Sequence, residues 1–116
     1  MPRYLLLIYG NEQEFGNMDP ADQAGEFKLY SEYSDWLREK GWFQAGDALQ
    51  PTASATSVRV RNDETLSTDG PFAETKEQLG GYYLIDCGNL DEAIEAASRI
   101  PAARGGTIEV RPIFET

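Results

Sequence analysis

The chain has 116 residues, with 20 Asp and Glu against 10 Lys and Arg, giving a formal net charge of −10 and a pI near 4.3. That length bounds it to one domain, and a 41% hydrophobic content is enough for a core. The acidic excess repels phosphate backbones and anionic lipid alike, with no Lys/Arg cluster as a local exception, so neither nucleic acid nor membrane is expected as a partner.

Residues 3–9 read as a strand in which Tyr4-Leu5-Leu6-Leu7-Ile8-Tyr9 is apolar on both faces, and hence central in a sheet. The apolar run is too short for a signal segment or a membrane span. Residues 10–17 form a polar loop bracketed by glycines. Asp19 then caps a helix with Pro20 at its first position and Asp22 near the positive end of its dipole; the helix runs to Lys40 and stops at Gly41. Two apolar stripes run along it. Phe27, Tyr30, Ser34 and Leu37 make one, enough to cover a sheet, while Leu29, Tyr33 and Trp36 make a second that is either edge packing or, as the favoured reading, a subunit contact.

Residues 42–46 are a short second strand, followed by Asp47-Ala48-Leu49-Gln50-Pro51 and a Thr/Ser/Ala-rich connector. Residues 56–61 alternate as a half-buried strand, and 64–68 form its return. Placing Leu66 on the same face as Val58 and Val60 needs an odd loop, so Asn62-Asp63-Glu64 is predicted to be a three-residue turn. Residues 81–86 are the next strand. Asn89 caps a second helix, Glu92 completes its capping box, and Leu90, Ala93, Ile94, Ala97 and Ile100 line one face. Pro101 ends that helix, and Gly105-Gly106 turns the chain into a final strand over 107–113.

The order is β-α-β, a hairpin, then β-α-β. It specifies the α+β class: a ferredoxin-like antiparallel sheet with two helices on one face and an extra β-hairpin, in a single domain over residues 1–116. Two helices leave the other sheet face open, and a second copy of the chain is its expected cover, making a homodimer whose sheets face each other.

The chemistry is narrowed by what the chain lacks. It has no histidine, so the usual near-neutral acid/base and the usual zinc ligand are gone. Proton transfer would fall to Asp, Glu, Lys or Tyr with a pKa moved by its surroundings. Cys87 is the single cysteine; it reads as structural, and a chain without disulfides suits a reducing cytoplasm. No phosphate loop, dinucleotide fingerprint or clustered carboxylate spacing is present, so neither cofactor nor metal is expected.

The densest cluster of polar and turn-forming residues is Asp69-Gly70-Pro71-Phe72-Ala73-Glu74-Thr75-Lys76-Glu77, followed by Gln78-Leu79-Gly80-Gly81. This stretch resembles the signature of the YCII-related proteins, in the branch called the DGPF family. The opening strand, the Leu49-Gln50-Pro51 step, Val58-Arg59-Val60-Arg61 and the stretch from Ile100 to Ile113 fit the same pattern, so the likeness spans nearly the whole chain. The resemblance implies a dimeric α+β barrel. It also implies a place beside extracytoplasmic-function sigma factors, and so a sigma-factor-related protein among the partners to consider. Some relatives use a His-Asp pair on aromatic or halogenated small molecules. With no histidine to carry over, that mechanism cannot operate here.

The residues themselves offer two functions. One is a lyase- or isomerase-type enzyme moving a proton on a small polar or aromatic molecule in a cleft between sheet faces or subunits of the dimer, with Asp69 or Asp47 as base and Lys76 or Arg104 as charge stabiliser. The other is a non-catalytic small-ligand-binding or regulatory dimer using the same cleft. The Asp69 carboxylate can accept the Phe72 N–H, because Pro71 has none, or stay free to act, and Phe72 is expected to plug the loop into the core. Gly70, Pro71, Glu74, Glu77, Tyr83 and Arg104 complete the predicted ligand-contacting set, with Asp47 projecting inward from the end of the second strand.

Overall fold

A computed structural model describes residues 2–115. Along the chain it contains β1 (Arg3–Gly10), α1 (Glu12–Gly16), α2 (Pro20–Lys40), β2 (Phe43–Ala48), β3 (Thr56–Arg61), β4 (Glu64–Asp69), β5 (Gln78–Asp86), α3 (Leu90–Ser98) and β6 (Thr107–Pro112). Single turns of 3₁₀ helix lie at Thr52–Ser54 and Pro101–Arg104. The main sheet is antiparallel in the order β2-β5-β1-β6, the ferredoxin-like arrangement predicted, and β3 with β4 forms a separate two-stranded ribbon.

Strand periodicity sorts the sheet into two faces. Tyr4, Leu6 and Ile8 of β1 lie opposite Ile85, Tyr83 and Gly81 of β5, and these positions are buried beneath the helices. The alternate positions, Leu5, Leu7, Tyr82 and Leu84, face away from the helices and are only half-buried. The helix-covered face therefore holds the core, and the open face carries apolar residues that no element of the chain covers.

The ends of α2 follow from the sequence. The Asp19 carboxylate accepts the Asp22 N–H at 2.9 Å, Pro20 occupies the first turn, and Gly41 closes the helix in the left-handed conformation. The two stripes, however, do not divide as predicted. Tyr33 and Leu37 are buried, Tyr30 and Trp36 are half-buried against the core, and Phe27 and Leu29 are exposed. The seam between the stripes meets the sheet, and only along the C-terminal half of the helix; the N-terminal half stands off.

Two further expectations are corrected. In α3 the buried face is Ala93, Ala96 and Ala97, continuing to Ile100, whereas Leu90 and Ile94 are exposed. The small side chains bring α3 close enough for the Tyr33 hydroxyl to donate to the Ala96 carbonyl at 2.7 Å. The capping box also closes one residue early: Glu92 accepts the Gly88 N–H, while Asn89 accepts that of Glu92.

In the hairpin, Asn62 and Asp63 both have positive φ, 53° and 61°, so the turn has two residues and Arg61 lies opposite Glu64. Leu66 consequently pairs with Arg59, on the face opposite Val58 and Val60. An odd loop is required only where one face of the hairpin is buried. Both are exposed, so nothing in the monomer enforces register and the turn residues decide it.

The segment 10–17, expected as a loop, contains the short helix α1. Asn11 accepts the N–H groups of Gln13 and Glu14 at 3.0 and 3.2 Å, so the Asn11-to-Glu14 spacing was the missed signal. Among the described residues no helix is long and apolar enough to cross a membrane.

Candidate functional site

Where α2 stands off the sheet, a cleft of about 620 Å³ opens between its N-terminal half and the ends of β1, β2 and β5. Ile8, Gly46, Gly81 and Tyr83 form its floor, while Phe27, Tyr30 and Ser34 hang from α2 above them. The short helix α1 closes one side with Phe15, whose ring meets that of Phe27 edge-on at 5.8 Å. Leu49, Gln50 and Pro51 close the other.

Few polar groups reach this apolar space. The Ser34 and Tyr83 hydroxyls are hydrogen-bonded at 3.1 Å, and burial raises the Tyr83 pKa, keeping it a neutral phenol. Burial also pushes Tyr30 up to about 12. The Arg38 guanidinium lies 4.4 Å from the centre of the Phe43 ring at the cleft edge and pairs with Asp35 at 3.3 Å.

The carboxylate of Glu12, at the mouth, is engaged at both oxygens: it accepts the Thr52 N–H at 3.0 Å and the Thr52 hydroxyl at 2.5 Å. Beside it the Gln78 amide accepts the Glu12 N–H at 3.1 Å and donates to the Thr75 carbonyl at 2.6 Å. One glutamine thus ties α1 to the loop that precedes β5.

The structure divides the predicted site residues among separate places. Tyr83 lies in the cleft. Asp47 borders it, but its side chain belongs to the other face: Asp47 lies opposite Tyr82 in the sheet and accepts the Tyr82 hydroxyl at 3.0 Å. Simple alternation from Phe43 would turn Asp47 towards the helices. A bulge between Phe43 and Ala45 inverts it. The bond to Asp47 raises the Tyr82 pKa, since donating to a carboxylate favours the protonated phenol.

Asp69, Gly70, Pro71, Phe72, Glu74, Lys76 and Glu77 line no part of this cleft. Gly70, at φ +93°, makes the turn out of the hairpin, with its N–H on the Ala55 carbonyl and its carbonyl on the Ser57 hydroxyl. The Asp69 carboxylate does not accept the Phe72 N–H, and Phe72 is 80% exposed rather than plugged into the core, because the loop it sits on runs outside the body. Glu74 and Lys76 are exposed as well, while Glu77 accepts the Thr107 hydroxyl at 2.9 Å. Only the downstream half of the signature, through Gln78, Gly80 and Gly81, reaches the cleft.

Arg104 lies elsewhere, in a shallower groove between α2 and the Pro101–Arg104 turn, near Arg99 and Trp36. There the Arg99 guanidinium stacks 4.4 Å over the Trp36 ring and pairs with Glu95 at 3.2 Å.

Reading the sequence missed Arg38, Phe43, Gln78 and Tyr82 as site residues and treated Ser34 and Tyr30 only as packing. The legible clue was Ser34, a hydroxyl set into an otherwise apolar stripe of α2. Among the described residues no group of three or more His, Cys, Asp or Glu could hold a metal ion. The Cys87 thiol is buried, and burial raises its pKa, in keeping with a structural role.

Two comparisons bear on this arrangement. The YCII-related domain matches residues 2–116. An uncharacterized protein of Rhizobium meliloti (strain 1021) is 52% identical over 112 residues, covering 95% of this chain and 90% of that protein.

Proposed function

The chain belongs to the YCII-related family, and from that premise we propose that it is a small-molecule-binding homodimer whose cleft takes up a compact aromatic molecule. The cleft carries the reading: about 620 Å³ walled by Phe15, Phe27, Tyr30 and Tyr83, with a neutral Ser34–Tyr83 hydroxyl pair at its base and Arg38 at its edge. That volume falls within the range of small-molecule sites, and an apolar wall with few fixed polar groups suits a planar ligand bearing one hydrogen-bonding or anionic substituent. Among the described residues three carboxylates border the cleft; Glu12 and Asp47 are occupied with Thr52 and Tyr82, and only Glu26 is left for proton transfer there, which favours binding. The homodimer is supported by the open sheet face, where Leu5, Leu7, Tyr82 and Leu84 need cover.

Ligand-observed NMR against phenol, indole and benzoate tests this. Binding is expected for the wild type, and Ser34→Leu, which fills the cleft base, should weaken it about tenfold or more with an unchanged circular dichroism spectrum. Binding by none of the three, or equal binding by the variant, would refute the reading.

The Tyr82–Asp47 bond favours a second reading, in which a carbon acid held against the open face gives a proton to Asp47 while Tyr82 hydrogen-bonds its carbonyl. Incubating aryl ketones with the protein in deuterium oxide separates the two. Carbon-bound deuterium that appears with the wild type and not with Asp47→Asn would support proton transfer; no exchange would retire it.

A further inference from the structure

We propose that the β3–β4 hairpin is an arm that clasps a second copy of this chain, setting Arg59 and Arg61 against the acidic segment 12–26 at that copy's cleft mouth. The inference rests on the homodimer part of the reading above and not on the ligand.

The arm is unsupported by its own body. β3 and β4 pack extensively only against each other, and Val58, Val60 and Leu66 are 61%, 57% and 44% exposed. An isolated two-stranded ribbon is marginal in water. The molecule is also drawn out: its radius of gyration is 16.0 Å, against about 13 Å for a compact domain of this length.

The charge distribution indicates which surface the arm fits. Register puts Arg59 and Arg61 on one face with Leu66 and Glu64, and Val58 and Val60 on the other. These arginines are the only cations between Lys40 and Lys76, and neither pairs with a carboxylate among the described residues. Between Arg3 and Lys28 the chain carries Glu12, Glu14, Asp19, Asp22 and Glu26 and no Lys or Arg. Complementary patches therefore lie on one chain, yet the arm does not fold back onto its own acidic segment. In a two-fold dimer each arm meets the other copy's segment, so the contact is made twice. Because Glu12 and Glu26 line the cleft, its mouth would be completed by arginines of the second copy.

Sedimentation velocity over a dilution series tests this with four full-length variants: Arg59→Glu/Arg61→Glu, Glu14→Arg/Glu26→Arg, those four substitutions together, and Val58→Ser/Val60→Ser. Each pair of reversals should raise the dimer dissociation constant by about tenfold or more, and the combination should return it to within about threefold of wild type. The arm proposal is overturned by a dimer indifferent to the reversals, by weakening that the combination does not recover, or by weakening confined to Val58→Ser/Val60→Ser, which would put the other face on the partner. The first of these leaves the homodimer standing, whereas a wild type monomeric at every concentration removes both.

Discussion

Replacing Leu37 with alanine is expected to lower the unfolding free energy by about 3 kcal/mol, read in a thermal melt as a fall of roughly 10 °C. Leu37 is fully buried in the half of α2 that meets the sheet, in one cluster with Tyr33, Trp42 and Tyr83. Its surroundings have little freedom to collapse into the space left behind. The Leu37 carbonyl receives the Trp42 N–H at 3.0 Å, and Tyr33, one turn earlier, is fixed to α3 through the Ala96 carbonyl. The C-terminal half of α2 is also the hinge side of the cleft roof, so ligand affinity should fall with stability. A loss below about 1 kcal/mol would mean that the helix is seated more loosely than its burial implies.

Gly106→Val should cost about as much or more, by a different route. A Cβ at Gly106 would collide with the Tyr9 carbonyl oxygen and sit 3.2 Å from that of Ala102. Both neighbours are backbone, and the Gly106 N–H is itself bonded to the Ala102 carbonyl at 2.7 Å, so no side-chain rotation relieves the clash. The start of β6 would have to leave β1, opening the Tyr9–Thr107 pair and the Glu77–Thr107 bond beside it. A loss of about 3 kcal/mol or more is expected in urea unfolding, together with early amide exchange at Thr107 and Ile108. Wild-type stability in the variant would contradict the close approach.

The features legible in the sequence are those that local chemistry decides. Asp19-Pro20 and Gly41 set the ends of α2, Asn89 starts α3, and the unbroken apolar run from Tyr4 to Tyr9 makes β1 central. The features it hid depend on a single inserted residue or on what lies across a surface. One bulge at Gln44 turns Asp47 from the helix side to the open face, and alternation cannot register a bulge. Large apolar side chains usually find cover, which puts Phe72 in the core and Val58, Val60 and Leu66 on a half-buried face, yet the chain folds with all four exposed. The cleft itself was hidden because it arises from α2 lifting off the sheet, which the helix's own periodicity does not encode. The downstream signature residues Gln78, Gly80 and Gly81 reach it, but the conspicuous Asp69-Gly70-Pro71-Phe72 does not.

The wall of the cleft and the root of the arm share two side chains. Gln78 holds α1 and the loop before β5, while Glu12 of that same short helix holds Thr52, where the chain leaves β2 for the hairpin. A molecule that pushed α1 outward would therefore load the joint at the root of the arm, and an arm held by a second copy would load α1 in return. If the two events are coupled through this joint, thermodynamics makes the exchange symmetric: whatever factor occupancy adds to self-association, self-association returns to occupancy. A protein so coupled would report a small molecule as a change in assembly, and its apparent affinity would rise with its own concentration.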